Sequence, residues 1–237
     1  MAQERLDKIL ASQGIGSRKE VGQMIRRGRV TVEGKPVNRP EYRADPEKES
    51  ISIDGRPICV KKYIYIMMNK PAGVLSASRD SRAPTVLDLL PEELRRKGLF
   101  PAGRLDKDTT GLLIITDDGD MAHRMLSPKK HVYKLYEAQL DIPAQEQDVE
   151  AFAQGVPLAD FVCLPAKLEI LPEADGKRVQ VEVREGKFHQ IKRMFAARGK
   201  TVVSLCRLRM GKLDLDPALQ PGESRELTAE EVALIFS

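Results

Sequence analysis

The chain has 237 residues, 41% of them hydrophobic, so it can fold a small domain beside a larger one and is too apolar for a disordered chain. The net charge is +4, and no stretch approaches the roughly 20 apolar residues of a membrane helix. Charged residues begin at Glu4 and Arg5, without the apolar core of a signal peptide. Three separated cysteines and three histidines without ligand spacing predict reduced thiols, a cytoplasmic location and no bound metal.

The first sixty residues predict a compact unit of two helices followed by strands. The second helix should begin at a capping box from Ser17 to Glu20 and end near Gly28. A hairpin should follow, with its turn at Glu33–Lys35, and then a strand at 50–53. The apolar positions at helical spacing are Leu6, Ile9, Leu10, Val21, Met24 and Ile25.

Basic residues concentrate in two segments. Residues 1–60 hold twelve Lys/Arg and nine Asp/Glu, while residues 185–212 hold eight Lys/Arg and one acidic residue. A run of charged residues usually forms a solvated surface. Cations at the start of a helix, however, are destabilised by the helix dipole, so their presence indicates phosphate binding. The first segment resembles an S4 RNA-binding domain through residues 5–10, 17–18 and 28–34. Its candidate RNA-binding residues are Arg5, Arg18, Lys19, Arg26, Arg27 and Arg29.

Residues 57–62 are the predicted linker to a larger α+β domain. Phe188, Ile191, Met194 and Phe195 repeat at helical spacing, and Gly199 should end that helix. A last helix should start at a Thr228–Glu231 capping box and run through residue 235. The predicted strands are 63–68, 112–115, 133–140, 178–184 and 202–205. This pattern predicts a mixed, mostly antiparallel sheet with flanking helices.

The segment Gly103–Leu113 is a polar loop that leads into an apolar strand. Arg104, Asp106, Lys107 and Asp108 crowd opposite charges together. Thr109, Thr110 and Gly111 are expected to form a tight loop, held by hydrogen bonds from the threonine side chains to the backbone. Charge content alone favours an exposed, self-paired turn. However, a carboxylate held between apolar residues and cations also suits a nucleophile or base.

The loop sequence G-R-L-D-x-D-T-T-G-L-L resembles the main motif of the RsuA-type ribosomal pseudouridine synthases. Three further matches follow the order of that family: Asn69–Gly73 for its opening motif, Lys134–Tyr136 for its K-x-Y motif and Glu185–Phe195 for its third motif. Leu135 stands where the family often has threonine, and Phe188–Gln190 resembles the branch that acts on small-subunit rRNA. The resemblance implies an S4-like α/β-hairpin domain over residues 1–58 and a catalytic domain over residues 62–237.

The resemblance also implies roles for individual residues. Asp106 matches the essential aspartate, which starts the isomerisation of a uridine in 16S rRNA by attack on the ribose, attack on the uracil or proton abstraction; no cofactor is implied. Tyr136 matches the tyrosine that stacks on the target base, and Lys192 matches the cation that pairs with the aspartate. Leu205 matches an apolar residue against the flipped base, and Lys70 is expected to support the loop. The remaining candidate substrate-binding residues are Arg104, Lys187, His189, Gln190, Arg193 and Arg207.

Other classes of protein remain as alternatives. A non-catalytic rRNA-binding or ribosome assembly factor explains the basic segments but gives the Asp106 motif no use. A glycosidase-like pair of Asp106 and Asp108 is disfavoured because alternate residues of an extended loop point apart. A nuclease could use a metal at Asp117, Asp118 and Asp120, although Asp118-Gly119 is more typical of a turn before a helix. We expect a monomer that acts on rRNA within a small-subunit assembly intermediate, with no membrane partner.

Overall fold

The computed structural model describes residues 3–127, 132–172 and 175–237. The described residues form two compact units. One comprises those of Met1–Tyr63 together with Arg95–Gly98, and the other those of Ile64–Leu94 and Leu99–Ser237. Within the described ranges, no helix is long and apolar enough to cross a membrane.

The first unit combines two helices with short antiparallel strands. Its elements are β1 (Glu4–Arg5), α1 (Leu6–Ser12), α2 (Arg18–Arg26), β2 (Val30–Val32), β3 (Lys35–Val37), β4 (Arg43–Ala44), β5 (Ile51–Ile53) and β6 (Arg56–Ile58). Strands β3-β2-β5-β6 form one sheet in that order, and β1 pairs with β4.

Local sequence signals explain this unit. The Ser17 hydroxyl accepts from the Glu20 N–H and the Glu20 carboxylate accepts from the Ser17 N–H, which confirms the predicted capping box of α2. Gly28, at φ +71°, ends the helix, and Glu33 and Gly34 both have positive φ in the β2–β3 turn. The predicted apolar face is buried in the core of the unit, except that Met24 is half-buried.

The second unit contains one large sheet with helices on both faces. Its elements are β7 (Tyr65–Lys70), a 3-10 helix (Glu92–Leu94), β8 (Phe100–Pro101), β9 (Thr110–Thr116), α3 (Gly119–Leu126), β10 (Lys134–Leu140), α4 (Glu146–Gln154), β11 (Lys167–Ile170), β12 (Arg178–Val183), α5 (Gln190–Ala197), β13 (Val202–Met210), β14 (Leu213–Asp214), β15 (Ser224–Glu226) and α6 (Ala229–Leu234).

The sheet has the strand order β11-β12-β10-β13-β9-β7-β15, with β14 on β13 and β8 on β9. Among the described strands, β13 and β9 pair in parallel and the other neighbours pair antiparallel. This confirms the predicted α+β class with a mixed, mostly antiparallel sheet. The parallel pairing places Arg207 of β13 against Gly111 of β9.

Alternate residues of the central strands are buried on opposite faces of the sheet, because side chains alternate along a strand. Met67, Leu112 and Ile114 share one apolar cluster with α3 and with Ile235. On the other face, Ile66 and Leu113 share a cluster with residues of α4 and α5. Burial on both faces fixes β9, and with it the loop that precedes this strand.

Several elements differ from the sequence prediction. Helix α4 was missed, although the Asp148 carboxylate accepts from the Gln145 N–H at its start. Helix α5 begins at Gln190 rather than at Phe188, because His189 has φ +50° and interrupts helical geometry there. Asp118 caps α3 through the Met121 N–H and accepts from the Tyr65 hydroxyl, so a helix start explains this residue better than a metal site does.

Candidate active site

The loop that carries Asp106 is fixed by its neighbours in the second unit. The hydroxyl of Ser76 donates to the Leu105 carbonyl oxygen at 2.9 Å and accepts from the Leu105 N–H at 3.1 Å. The Thr109 N–H donates to the Asp106 carbonyl oxygen at 3.1 Å. Since backbone groups on both sides of Asp106 are bonded, its carboxylate is presented from a rigid position.

Lys70 holds the same loop through its backbone carbonyl oxygens. It is fully buried, and its ammonium donates to the carbonyl oxygens of Pro71 and Thr109 at 2.9 Å and of Lys107 at 3.3 Å. Burial lowers the pKa of Lys70 to about 8, against the opposing effect of the Asp108 and Asp106 carboxylates. The expected support of the loop by Lys70 therefore has a direct structural basis.

Two basic side chains flank the carboxylate of Asp106, which is about a quarter exposed. His189 Nε2 lies 3.5 Å from Oδ1, and Lys192 Nζ lies 3.8 Å from Oδ2. Lys192 makes its hydrogen bond to the neighbouring Asp108 at 2.6 Å, and this bond lowers the pKa of the Asp108 carboxyl. Lys192 is therefore shared between two carboxylates.

A single pocket brings most of the candidate residues together. Of the ten predicted catalytic and substrate-binding residues, seven line it: Arg104, Asp106, Tyr136, Lys187, His189, Gln190 and Leu205. Tyr136 and Leu205 are largely buried in its wall, so the pocket combines a carboxylate, cations and apolar surface. This chemistry fits a flat, partly polar ring such as a nucleobase.

Arg207 lies in the protein interior rather than on the rim of this pocket. Its guanidinium Nε donates to the Leu112 carbonyl oxygen at 2.7 Å, and Nη1 donates to the Tyr136 hydroxyl oxygen at 3.3 Å. Nη2 is buried without a hydrogen-bond partner in the described structure. Arg207 thus connects β9, the strand that follows the Asp106 loop, with the side chain of Tyr136.

The buried side chain of Gln190 forms hydrogen bonds within the loop at residues 185–190 of the third motif. The side-chain oxygen of Gln190 accepts from the Lys187 N–H at 2.9 Å, and its amide donates to the Glu185 carboxylate at 2.8 Å. Glu185 also accepts from the Leu164 N–H. Because Gln190 is buried and engaged in this way, its direct role is to hold residues 185–190 in place at the pocket.

Arg193 is engaged beside the pocket. It pairs with Asp160, and its guanidinium lies 5.3 Å from the ring centre of Phe161. The ammonium of Lys187 lies 5.7 Å from the same ring. These contacts hold two cations of the third motif at one surface.

Sequence reasoning missed Ser76 and misjudged Thr109. The hydroxyl of Thr109 was expected to bond to the backbone, yet it is buried without a partner in the described structure. Thr110 does bond, through its hydroxyl, to the Leu205 carbonyl oxygen at 3.4 Å. An isolated serine such as Ser76, 30 positions before Asp106, carries no local signal of this contact.

The predicted RNA-binding residues of the first unit fall into two groups. Arg5 and Arg18 pair with the buried Asp7, and Arg29 pairs with Asp54, so these three guanidinium groups already have partners. The others are exposed and make no ion pair with the described residues: Lys19, Arg26 and Arg27.

Comparison with known proteins identifies the family of this chain. The family model for RNA pseudouridylate synthase matches residues 64–197, and the S4 domain model matches residues 4–50. The chain is 50% identical to the uncharacterized RNA pseudouridine synthase YtzG of Bacillus subtilis, with 98% of each chain covered. It is 43% identical to ribosomal small subunit pseudouridine synthase A of Escherichia coli K12, covering 98% of this chain and 99% of the relative.

A solved structure gives the same result. The crystal structure of a pseudouridylate synthase superposes with a TM-score of 0.68 at 37% identity, covering 98% of this chain and 99% of that one. The fold and the pocket define an RNA-modifying enzyme with an S4 domain. The chain belongs to the RNA pseudouridylate synthase family.

Proposed function

We propose that this protein isomerises a specific uridine of 16S rRNA to pseudouridine and that Asp106 is its essential catalytic residue. The observation that carries the proposal is the Asp106 carboxylate, which lies between His189 and Lys192 in a pocket that Tyr136 also lines. The name of the Escherichia coli relative supports small-subunit rRNA as the substrate.

The reaction needs positioning and proton transfer rather than oxidation or reduction. The C1′–N1 bond breaks, the uracil turns, and a C1′–C5 bond forms; C5 loses a proton and N1 gains one. Asp106 begins this sequence as a nucleophile or as a base, and the cation of Lys192 lies 3.8 Å from its Oδ2. Tyr136 stacks on the turned uracil, and Leu205 supplies apolar contact.

The experiment uses an rRNA transcript with tritium at uridine C5, either free or in a partly assembled small subunit. The wild-type protein should release tritium to water, and Asp106→Asn should reduce release at least about a thousandfold. Asp120→Asn, the same change at an exposed residue outside the pocket, is the matched control. Tight RNA binding without release on either substrate would instead support a non-catalytic binding or assembly factor.

For RNA capture, we propose that the exposed cations of the first unit bind rRNA phosphates. A Lys19→Ala, Arg26→Ala and Arg27→Ala triple variant should weaken binding and flatten the dependence of log affinity on log salt by up to about 0.7–0.9 per lost phosphate contact. Lys35→Ala with Lys48→Ala is a control from exposed lysines of the same unit. An unchanged salt slope in the triple variant would contradict this assignment.

We further propose a cytoplasmic monomer that acts before the small subunit is complete. A target uridine must leave its stack to enter the pocket, which is easier before the rRNA is fully packed. Modification of an assembly intermediate but not of mature subunits would support this timing. A molar mass in solution of twice the 26.5 kDa chain would contradict the monomer.

A further inference from the structure

Phe188 departs from the position that its spacing predicts. A residue in register with Ile191 and Met194 should be buried, yet the side chain of Phe188 is 74% exposed, the largest exposure among the large apolar residues of the described structure. The left-handed conformation of His189 turns the chain just before α5 and directs Phe188 outward. A local backbone feature therefore holds this aromatic ring in solvent.

The exposed ring lies next to the candidate catalytic carboxylate. Phe188 stacks on His189, with ring centres 3.8 Å apart and planes inclined by 18°. His189 in turn lines the pocket and has its Nε2 3.5 Å from Asp106. Because His189 covers one face of the phenyl ring and most of that ring is still exposed, its other face is open to a partner.

We propose that Phe188 is a stacking platform for the nucleobase adjacent to the target uridine, an inference that rests on the proposed RNA substrate. When a uridine leaves the stack, its neighbour loses one stacking face. An open aromatic ring at the edge of the pocket replaces that face, because bases stack on aromatic side chains. Lys187 directly precedes Phe188 in the chain and lines the pocket, and its ammonium gives this surface the positive charge that adjacent phosphates need.

The proposal predicts a contribution to affinity with little sequence preference, since every base offers an aromatic face. Phe188→Leu keeps an apolar side chain but loses the ring, and it should raise KM about tenfold with a small change in kcat. Phe188→Tyr keeps the ring and should retain the wild-type affinity. Val203→Ala is the matched control, because Val203 is 67% exposed and lies outside the pocket.

A base-deletion cycle separates stacking from a structural role. The modified uridine is first mapped, and an RNA stem-loop is then made with an abasic ribose on its 5′ or its 3′ side. One of these RNAs should weaken wild-type binding about tenfold, and on that RNA Phe188→Leu should cause no further loss. Equal penalties of Phe188→Leu on the intact and both abasic RNAs, an unchanged KM, or a lowered Tm that explains the loss would overturn the proposal.

A binding arm keeps this result independent of catalysis. If the wild-type protein modifies no rRNA, the proposed function fails. Stacking is then tested by comparing the Kd for single-stranded oligouridine with the Kd for an abasic oligomer of equal length. Phe188→Leu should then weaken oligouridine binding alone. Equal Kd values for wild type and Phe188→Leu on oligouridine, or self-association that Phe188→Leu abolishes, would count against a nucleobase partner.

Discussion

Lys192 lies between two carboxylates of the same loop: it donates a hydrogen bond to Asp108 at 2.6 Å and stands 3.8 Å from Asp106. The Asp108 side chain is 73% exposed, whereas that of Asp106 is 27% exposed within the pocket. Water screens the pair with Asp108 more strongly, so that pair contributes little to stability. Asp108 thus competes for the cation without sharing the enclosed position of Asp106.

The first prediction is that the two partners of Lys192 are unequal in function. Asp108→Asn should keep kcat within about threefold of wild type, because Lys192 is then free to approach Asp106. Lys192→Met should lower kcat about 100-fold or more, as loss of a charged group at the reacting centre does. Single-turnover tritium release measures both. A larger loss in Asp108→Asn than in Lys192→Met would reverse the assignment.

The second prediction concerns Arg207, which the sequence assigned to RNA contact and the structure places against Tyr136. We expect Arg207→Met to lower kcat about tenfold to 100-fold while RNA affinity stays within about twofold, because the lost contact orients Tyr136. In a Tyr136→Phe background the same change should have little further effect, since the hydroxyl acceptor is gone. Arg209→Met is the control two positions along β13, where Arg209 pairs with Glu182.

RNA affinity that falls while kcat is unchanged would instead support direct contact between Arg207 and the substrate. Stability is the remaining check on this variant. Arg207→Met removes the donor to the Leu112 carbonyl oxygen and the Tyr136 hydroxyl, which can cost about 1–3 kcal/mol of stability. A Tm at which the variant is still folded under the assay conditions would assign the kinetic loss to the position of Tyr136 rather than to unfolding.

The third prediction is a pH dependence of stability that comes from Lys70. Its folded pKa of about 8 lies below the ordinary 10.5, so between these values the unfolded chain binds more protons than the folded one. The free energy of unfolding should therefore rise with pH across this window, by on the order of 1–3 kcal/mol from Lys70. Denaturant unfolding at pH 7.5 and 10 gives the free energy of unfolding of wild type and of Lys70→Met. The wild-type value minus the variant value should grow with pH.

Lys134 offers a matched comparison for this effect. Burial, with a smaller effect of Arg207, lowers the pKa of Lys134 to about 8 as well, so Lys134→Met should show the same trend with pH. A difference between wild type and Lys70→Met that stays constant or shrinks from pH 7.5 to 10 would show that Lys70 is not titrating as a buried lysine.

The sequence predicted those helices and strands that depend on interactions between residues close together along the chain. The capping boxes at Ser17 and Thr228 start helices where the sequence placed them, and α6 ends at Leu234, directly before the predicted last residue. The alternation in 178–184 corresponds to β12, with its valines buried. These features depend on neighbours along the chain, which the sequence displays directly.

Long-range contacts explain what the sequence did not predict. The contacts of Ser76 with Leu105 and of Arg207 with Tyr136 join residues 29 and 71 positions apart. The spacing of Phe188 indicated burial, and the left-handed turn at His189 overrides it. Family motifs identified which residues gather at the pocket, but only the fold separates those that line it from those that hold it in place.

The fourth prediction tests why glycine follows the two threonines of the loop motif. Gly111 has φ +97°, and an added Cβ would lie 2.3 Å from the carbonyl oxygen of Arg207, the residue opposite it in the parallel pairing of β9 and β13. Gly111→Ala should therefore destabilise the second unit by about 3 kcal/mol or more, because both the backbone strain and the clash fall in its core. Denaturant unfolding measures the loss.

Gly119 provides the matched control for this substitution. It is exposed at the start of α3 with no atom within 4 Å of an added Cβ, so Gly119→Ala should be neutral or stabilising by up to about 1 kcal/mol. Removing the Cys206 thiol, 2.8 Å from the same Cβ position, should not rescue Gly111→Ala, because the closer obstacle is the backbone of Arg207. Rescue by Cys206→Ala, or wild-type stability of Gly111→Ala alone, would show that β9 and β13 can separate at this point without cost.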